Sequence, residues 1–340
     1  MKIRIRIPSI VIFFLFTHAS LQGQTIQTAI AEVNDGQGGF FSQWDAVQKK
    51  LLLYRDIKMS SAPAARMYGT DGSEMAVFPV KDLQDAWYAD VWAVAATPEG
   101  GMVLAAGVGY TAPGAQPAEI KTVLLTYDRN SKLEKVWEVW PYQFFDVAVD
   151  SFGNIFGKGL KETDSSDYPL IVKYSPRGKI LKEFFPLSFL PDGEETFHPD
   201  PKGGGQDQMF IAGDKLFVWL ARPKELFQFS LDGELLSRTS FKPALSLLAT
   251  KTDSVRVGVQ RVSTNESGEI IAQLVFWNLD KSARHPFTQL ALFGQKGDIQ
   301  QVTPIAAPSN TAVFLWGSTG GKNMYLDYDA DIKIVRLAEH

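Results

Sequence analysis

Cysteine is absent from all 340 residues. Its absence excludes a disulfide framework, lipid attachment through a thiol and a cysteine nucleophile. Histidine is scarce as well, with four residues in the sequence. His18 lies close to the N-terminus and His340 ends the chain, which leaves His198 and His285 between them. No Gly-x-Ser-x-Gly motif occurs, so the sequence supports none of the common nucleophile templates.

Nucleotide-binding loops and basic surfaces are missing too. Gly107 and Gly109 lack the third glycine and the following helix of a dinucleotide- or phosphate-binding loop. The sequence has 34 Lys and Arg against 38 Asp and Glu. Basic residues do not cluster among aromatic ones, and the overall balance is acidic. These features argue against nucleic acid as a partner.

Long apolar runs are also missing. The N-terminal run, residues 10–16, has seven apolar residues, against the roughly 20 that a membrane-spanning helix needs. It follows three basic residues and precedes small and polar ones, which is the plan of a secretory signal. We predict that residues 1–23 are a signal peptide, cleaved after Ala19 or Gly23; an uncleaved membrane anchor is the alternative. The protein is then periplasmic or extracellular and does not span the membrane.

A helical period is the last feature that the sequence lacks. No apolar pattern at helical spacing extends over several turns. Instead, 28 Gly and 18 Pro separate short β-rich runs. With 45% hydrophobic and 21% charged residues, residues 24–340 are predicted to form one all-β domain.

The clearest succession of strands spans residues 144–187. Residues 145–149 and 155–159 flank the turn from Asp150 to Asn154, in which Asp supplies a local hydrogen-bonding turn and Gly can take positive φ. A second hairpin follows the polar loop, with Ser-Pro-Arg-Gly as its turn. A four-stranded unit of this kind buries too little surface alone, so we expect it to pack against copies of itself.

This unit resembles one repeat of the NHL-type six-bladed β-propellers. The matching residues are Asp150, Gly153, Asn154, Ile155 and Phe156 in the first half and Ile171, Lys173, Tyr174, Ser175 and Gly178 in the second. The resemblance covers one unit well and the other units only loosely. It implies a propeller fold and no particular chemistry, because propellers have unrelated functions.

Weaker copies of the unit recur along the chain. The turn between the first two strands of a unit recurs at Gly100, Gly153, Gly213 and Gly268. Six such units fit the mature length, which predicts a six-bladed β-propeller of four-stranded antiparallel blades; two separate β-sandwiches are the alternative. The strand predicted at residues 25–33 is expected to join the last blade and close the ring. Most aromatic residues, Trp219 among them, are expected to fill the space between blades.

Loop lengths indicate where binding takes place. The turns between strands one and two, and between three and four, are short in every unit, whereas the other connections are long and variable. Because successive strands of a blade run in opposite directions, the short turns and the long connections lie on opposite faces of the propeller. We therefore predict a secreted propeller that binds a protein, a small molecule or a carbohydrate through its long-loop face. Whether the protein is also an enzyme stays open, with a binding module preferred.

The sequence offers two groups of candidate site residues. Aligning the turns places Asp90, Asp146, Asp207 and Arg261 near the channel mouth. Six-bladed lactonases, which this chain resembles in architecture only, hold a divalent ion there, so a metal-dependent lactonase-like hydrolase is the alternative function. No Asn aligns with such a position, and Arg261 opposes a cation. An ion pair between Arg261 and one of the Asp residues is the competing interpretation.

The second group lies in the long segment 192–207. It contains His198, Asp200 and several other carboxylate side chains, together with three consecutive glycines. Oxygen ligands of this kind suit Ca²⁺ or another divalent cation, and a histidine can assist acid–base chemistry. The spacing matches no metal motif, and a solvated charged loop is the simpler interpretation. We therefore expect no cofactor, with a divalent cation as the alternative.

Overall fold

The structure is a computed structural model. It describes residues 24–33, 41–54, 65–79, 88–109, 120–190, 207–251, 254–265, 267–278, 287–306, 312–319, 322–328 and 332–338. The predicted signal peptide, and with it the cleavage sites at Ala19 and Gly23, lies outside the described residues. So do His198 and Asp200.

The described residues form 24 strands, one α-helix and one 3₁₀ turn. In chain order they are β1 Gln24–Val33, β2 Phe41–Asp45, β3 Lys50–Tyr54, β4 Ala65–Tyr68, β5 Glu74–Phe78, β6 Tyr88–Ala96, β7 Met102–Gly109, β8 Ile120–Tyr127, β9 Leu133–Glu138, β10 Tyr142–Val149, β11 Ile155–Lys161, β12 Pro169–Tyr174, β13 Ile180–Pro186, the 3₁₀ turn Leu187–Phe189, β14 Gln208–Ala212, β15 Lys215–Leu220, β16 Glu225–Ser230, β17 Leu235–Ser240, α1 Lys242–Lys251, β18 Ser254–Thr264, β19 Ile270–Asn278, β20 Phe287–Phe293, β21 Ile299–Ala306, β22 Ala312–Thr319, β23 Lys322–Tyr328 and β24 Ile332–Ala338.

These strands form a β-propeller with five blades, so the prediction of six blades is wrong. Blades 1 to 4 are the four-stranded sheets β2–β5, β6–β9, β10–β13 and β14–β17. Blade 5 is a single eight-stranded sheet in the order β18-β19-β20-β21-β1-β24-β23-β22. The two units predicted as separate fifth and sixth blades are therefore one continuous sheet, because β1 lies between them and pairs with both.

Strand β1 closes the molecule, as the sequence predicted. It pairs antiparallel with β24 along most of its length, from Thr25 opposite Ala338 to Val33 opposite Ile332. At its start it also pairs in parallel with β21, where Gln24 lies opposite Ile305. One strand thus covers an edge on each side, which removes two exposed sheet edges from the ring. The first strands β2, β6, β10, β14, β18 and β22 contact one another in that order, and β22 contacts β2. They surround a common axis.

Local turn chemistry determines the hairpins. Gly100, Gly153 and Gly268 each close a first-to-second-strand turn at positive φ, as does Gly213 in a shorter turn. In the turn that begins at Asp150, the carboxylate accepts hydrogen bonds from the backbone N–H groups of Phe152 and Asn154. Five other turns use the first side chain in the same way, accepting from the backbone N–H of the fifth residue: Thr97, Asp128, Ser175, Ser230 and Asn265.

The blades pack through aromatic side chains that contact turns of the next blade. A Cβ added at Gly178, in the last turn of blade 3, meets the Trp137 ring of blade 2 at 2.9 Å. Gly233 has the same relation to Phe184 at 2.8 Å. Two features of these positions require glycine: the backbone has a positive φ, and an aromatic ring occupies the space that a Cβ would need. Trp219 is 1% exposed and packs with blade 5 residues, which confirms that it fills the space between blades.

Helix α1 departs from the expectation of an all-strand chain. Residues 242–251 connect blade 4 to blade 5, with Leu245 buried and Leu247 exposed. Its ten residues make fewer than three turns, too short to show the periodicity on which the sequence argument relied. None of the helices in the described part of the chain is long and apolar enough to cross a membrane.

Candidate axial site

The first strands of the blades deliver side chains to the central axis, and β-bulges control which ones. Strand β10 has its bulge at Phe145, between the pairs Phe144–Gly159 and Asp146–Lys158. Strands β6, β18 and β22 are irregular at the corresponding places, at Trp92, Gln260 and Trp316. A bulge inserts one residue and re-aims its neighbours. The Trp92 and Phe145 rings of adjacent blades contact each other, with centroids 5.9 Å apart.

Asp146 forms a buried ion pair with Lys158. The two residues lie opposite each other in the β10–β11 hairpin, and Lys158 Nζ is 2.7 Å from Asp146 Oδ2. The Lys158 side chain is 1% exposed and that of Asp146 18%. Burial raises the pKa of Asp146, and the neighbouring Lys158 ammonium opposes this rise. The lysine therefore supplies the positive charge that a carboxylate in this position requires.

Asp207 and Arg261 lie close enough to Asp146 to act on its charge. Asp207 raises the pKa of Asp146 further and Arg261 lowers it. Asp207 immediately precedes β14, is 8% exposed, and accepts a hydrogen bond from the Ala221 N–H at 2.8 Å. Two acids and two bases from blades 3, 4 and 5 thus form one cluster. We call Asp146, Lys158, Asp207 and Arg261 the axial cluster.

Asp90 has a different local partner. Its Oδ2 accepts a hydrogen bond from the indole Nε1–H of Trp92 at 3.0 Å, two residues along the same strand. Trp92 in turn lies over Gly107 of β7, where an added Cβ meets the ring at 2.6 Å. Asp90 thus orients the bulged Trp92. The structure brings together three of the four residues predicted at the channel mouth.

Two glutamine side chains, one half-buried and one buried, satisfy backbone groups of the bulged strands. Gln208 of blade 4 accepts from the Val262 N–H at 2.9 Å and donates to the Gln260 carbonyl at 3.3 Å. Both groups flank the β18 bulge, which interrupts regular pairing there. In the same way Gln273, which is 0% exposed, accepts from the Leu315 N–H beside the β22 bulge. These contacts fix the strands that hold the axial cluster.

The tight-turn end of the axis is covered by blade 1. Asp45 Oδ2 accepts from the Ala96 N–H of blade 2, and its Oδ1 accepts from the Gln48 N–H. Val47, in the same turn, packs against the core shared by blades 3 and 4. Burial raises the pKa of Asp45 to about 6, and the backbone hydrogen bonds oppose that rise. The β2–β3 turn therefore reaches across the axis from blade 1.

Lys158 is the residue that sequence reasoning missed. It lies between Gly157 and Gly159 in the middle of β11, whose other residues before the terminal Lys161 are apolar or glycine. The turn at Asp150 to Asn154 pairs Val149 with Ile155, and counting outward from that pair places Asp146 opposite Lys158. A lone lysine opposite a predicted axial aspartate was the available signal, because a buried charge needs a counter-charge.

The cluster's chemistry differs from that of a metal centre. No group of three or more His, Asp or Glu able to hold a metal occurs among the residues that the structure describes. One oxygen of the Asp146 carboxylate, Oδ2, forms an ion pair with the Lys158 ammonium group. The geometry supports a rigid, internally neutralised cluster that offers donors and acceptors of both signs to the channel.

The long-loop face around this cluster carries exposed apolar side chains. Three successive connections between blades each present one: Trp140 before β10, Phe189 after β13, and Leu247 on α1. Their exposed fractions are 59%, 42% and 57%. Each of these side chains would bury apolar surface if a partner covered this face.

No family description and no characterised protein matches this sequence. Among solved structures, the chain is similar to a gluconolactonase from Xanthomonas campestris, with 12% identity, 95% and 93% of the two chains covered and a TM-score of 0.48. It is similar to a Bacteroides fragilis protein named for its expected export, with 11% identity, 93% and 94% coverage and a TM-score of 0.48. A glucose dehydrogenase shows 10% identity, 92% and 99% coverage and a TM-score of 0.47. At these values the likenesses carry no argument about function, and the propeller assignment rests on the sheet topology of this chain.

Proposed function

We propose that the protein is an exported β-propeller binding module that docks a protein partner on its long-loop face. The observation that carries this proposal is the series of exposed apolar side chains at Trp140, Phe189 and Leu247. They occupy three consecutive inter-blade connections on one face of a rigid scaffold. Export follows from the N-terminal sequence pattern.

The energetics of protein recognition support this choice of ligand. A few large side chains dominate most interfaces, and aromatic residues are prominent among them. Two of the connections are anchored by their blades: the Leu187 N–H donates to the Tyr168 carbonyl near Phe189, and Leu245 is buried on the same helix as Leu247. The backbone of these connections therefore loses little conformational freedom on binding, which favours affinity.

The hydrolase alternative is less well supported by the axial cluster. A lactonase-like site needs carboxylates free to hold a divalent ion. Here the Asp146 carboxylate forms an ion pair with Lys158, and the Arg261 guanidinium, like Lys158, opposes the rise in its pKa that burial causes. Lys158 would have to release Asp146 Oδ2 before a cation could bind that oxygen.

The proposal is tested by comparing the two faces. A variant of the long-loop face combines Trp140→Ser, Phe189→Ser and Leu247→Ser. The matched control combines Met75→Ser, Leu181→Ser and Leu236→Ser, whose side chains have similar exposed fractions of 53%, 48% and 51% but begin the outermost strands near the tight-turn face. Photo-crosslinking from position 140 in intact cells identifies the partner, and the affinities of the purified variants for it are then measured.

The variant of the long-loop face is expected to bind the partner at least about tenfold more weakly, since each interface anchor that is removed costs more than about 1 kcal/mol of binding free energy. The control is expected to bind as the wild type does. Equal weakening by both variants, or no crosslink from position 140, contradicts the proposal. Hydrolysis of a lactone that is lost in Asp146→Ala would favour the hydrolase instead.

A further inference from the structure

A groove lies between blades 2 and 3 on the tight-turn face, opposite the proposed docking face. Its volume is about 650 Å³, within the usual range for small-ligand sites. Four tight turns converge on it: two from blade 2, which contribute Glu99 and Arg129, and two from blade 3, which contribute Gly153 and Pro176. All of its lining residues belong to the described part of the chain.

The floor of the groove is apolar and its rim is charged. Val103 and Ile155 belong to the core between blades 2 and 3 and form the floor with Pro176. Tyr127 also borders the groove, but its ring lies on the other side of blade 2, edge-on to Phe78 of blade 1, and its hydroxyl donates to the Pro79 carbonyl at 2.8 Å. The floor can therefore accept an apolar side chain, and its rigidity comes from the β-strands beneath it.

Four exposed charged side chains stand on the rim: Glu99, Arg129, Glu134 and Lys135. No ion pair joins any of them to another residue that the structure describes. Lys135 Nζ lies 5.6 Å from the centroid of the Trp137 ring, which holds the ammonium beside the groove. Asp128 also lines the groove, but its carboxylate accepts from the N–H groups of Asn130 and Lys132.

We propose that this groove binds a short peptide through its free amino and carboxyl termini. The two acids would hold the ammonium group, the two bases would hold the carboxylate, and the floor would take an apolar side chain. A ligand that carries only one sign of charge would be attracted by one pair of rim residues and repelled by the other pair. A zwitterion with an apolar centre is complementary to all three parts.

The test measures binding of the tripeptide Gly-Leu-Gly by isothermal titration calorimetry. The double variant Arg129→Gln/Lys135→Gln is expected to weaken binding at least about tenfold, because hydrogen bonds to charged groups are the stronger ones. The double variant Glu99→Gln/Glu134→Gln is expected to do the same. Lys215→Gln, at an exposed lysine that begins β15 directly after the tight turn of blade 4, is the matched control and should leave the affinity unchanged.

The acetylated and amidated form of the tripeptide separates recognition of the termini from other contacts. It is expected to bind at least about tenfold more weakly than the free tripeptide, since its two charges are removed. Equal binding of both forms, or no binding of the free tripeptide at millimolar concentration, overturns the proposal. All substituted residues are exposed, so unchanged melting temperatures will verify that the variants are folded.

Discussion

Lys158 and Asp146 face each other across a hairpin at the centre of the molecule, with 2.7 Å between ammonium and carboxylate. The lysine has almost no contact with solvent, at 1% exposure. Because neither charge can be hydrated fully, each depends on the other. The pair links the first and second strands of blade 3 at the point where Asp207 and Arg261 of the next two blades converge on it.

Removal of the lysine alone is expected to be costly. Lys158→Met leaves the Asp146 carboxylate without its nearest counter-charge, and breaking a buried pair in this way typically costs about 3–5 kcal/mol of unfolding free energy. The double variant Lys158→Met/Asp146→Leu should recover most of that loss, since it removes both charges. Urea unfolding at pH 7 measures these differences.

A surface pair in the same blade provides the control. Lys161 Nζ lies 3.6 Å from Glu183 Oε1, and the two side chains are 25% and 38% exposed. Lys161→Met should therefore cost less than about 1 kcal/mol. Equal costs for Lys158→Met and Lys161→Met would show that the axial pair is not buried as the structure has it.

The pH dependence of stability should contain a contribution from Asp45. Burial raises its pKa from 3.8 to about 6 in the folded protein, so the folded state binds the proton more tightly than the unfolded state does. The contribution is therefore favourable below about pH 4 and is lost as the pH rises to about 6. Asp45→Asn cannot ionise, so its stability relative to wild type should rise over this window by on the order of 2–3 kcal/mol.

Asp71 offers a control of opposite sign. Hydrogen bonds from the Ser73 hydroxyl and backbone N–H lower its pKa, so its contribution is present above about pH 4 and is lost as the pH falls. Asp71→Asn should accordingly lose stability relative to wild type as the pH rises through about 4. Parallel behaviour of the two variants in urea titrations at pH 3 to 7 would refute the assignment to Asp45.

The inter-blade contact at Gly178 gives a third prediction. Alanine there must adopt φ +84° and also place its Cβ 2.9 Å from the Trp137 ring. Gly213→Ala meets the first requirement only, because it has φ +61° and nothing within 4 Å of the added Cβ. The left-handed conformation costs about 1–2 kcal/mol in both variants, so any excess in Gly178→Ala reports the packing of blade 3 on blade 2. Urea unfolding should show an excess of about 1 kcal/mol or more; equal losses would show that this packing adjusts freely.

The parts of the fold that follow from neighbouring residues could be predicted from the sequence. The turn from Asp150 to Asn154 is one example, because its hydrogen bonds join residues no more than four apart. The same holds for the strands that flank Gly100 and Gly268. The number of blades depends instead on how β1 pairs with β21 and β24, almost the whole chain away. No local pattern specifies that pairing.

The axial cluster, like the fold, was predictable from the sequence only in part. Asp146, Asp207 and Arg261 were found because each occurs at the same place relative to a recognisable turn. Lys158 was missed because it lies on a second strand, whereas the residues predicted at the channel mouth came from the starts of first strands. Helix α1 escaped prediction for another reason: it is short, and its polar and apolar residues follow no strong period.

The last prediction concerns divalent cations at the axis. Ca²⁺, Zn²⁺ or Mn²⁺ at millimolar concentration should leave the melting temperature of the wild type unchanged, because Lys158 is bonded to the Asp146 carboxylate and Arg261 adds a second positive charge nearby. A bound ion would otherwise stabilise the folded state by mass action. Asp71→Ala, at a carboxylate on an exposed turn, controls for weak binding at the surface. A metal-dependent increase in melting temperature that persists in Asp71→Ala and disappears in Asp146→Ala would place a cation at the axis, and the hydrolase would then be the better supported function.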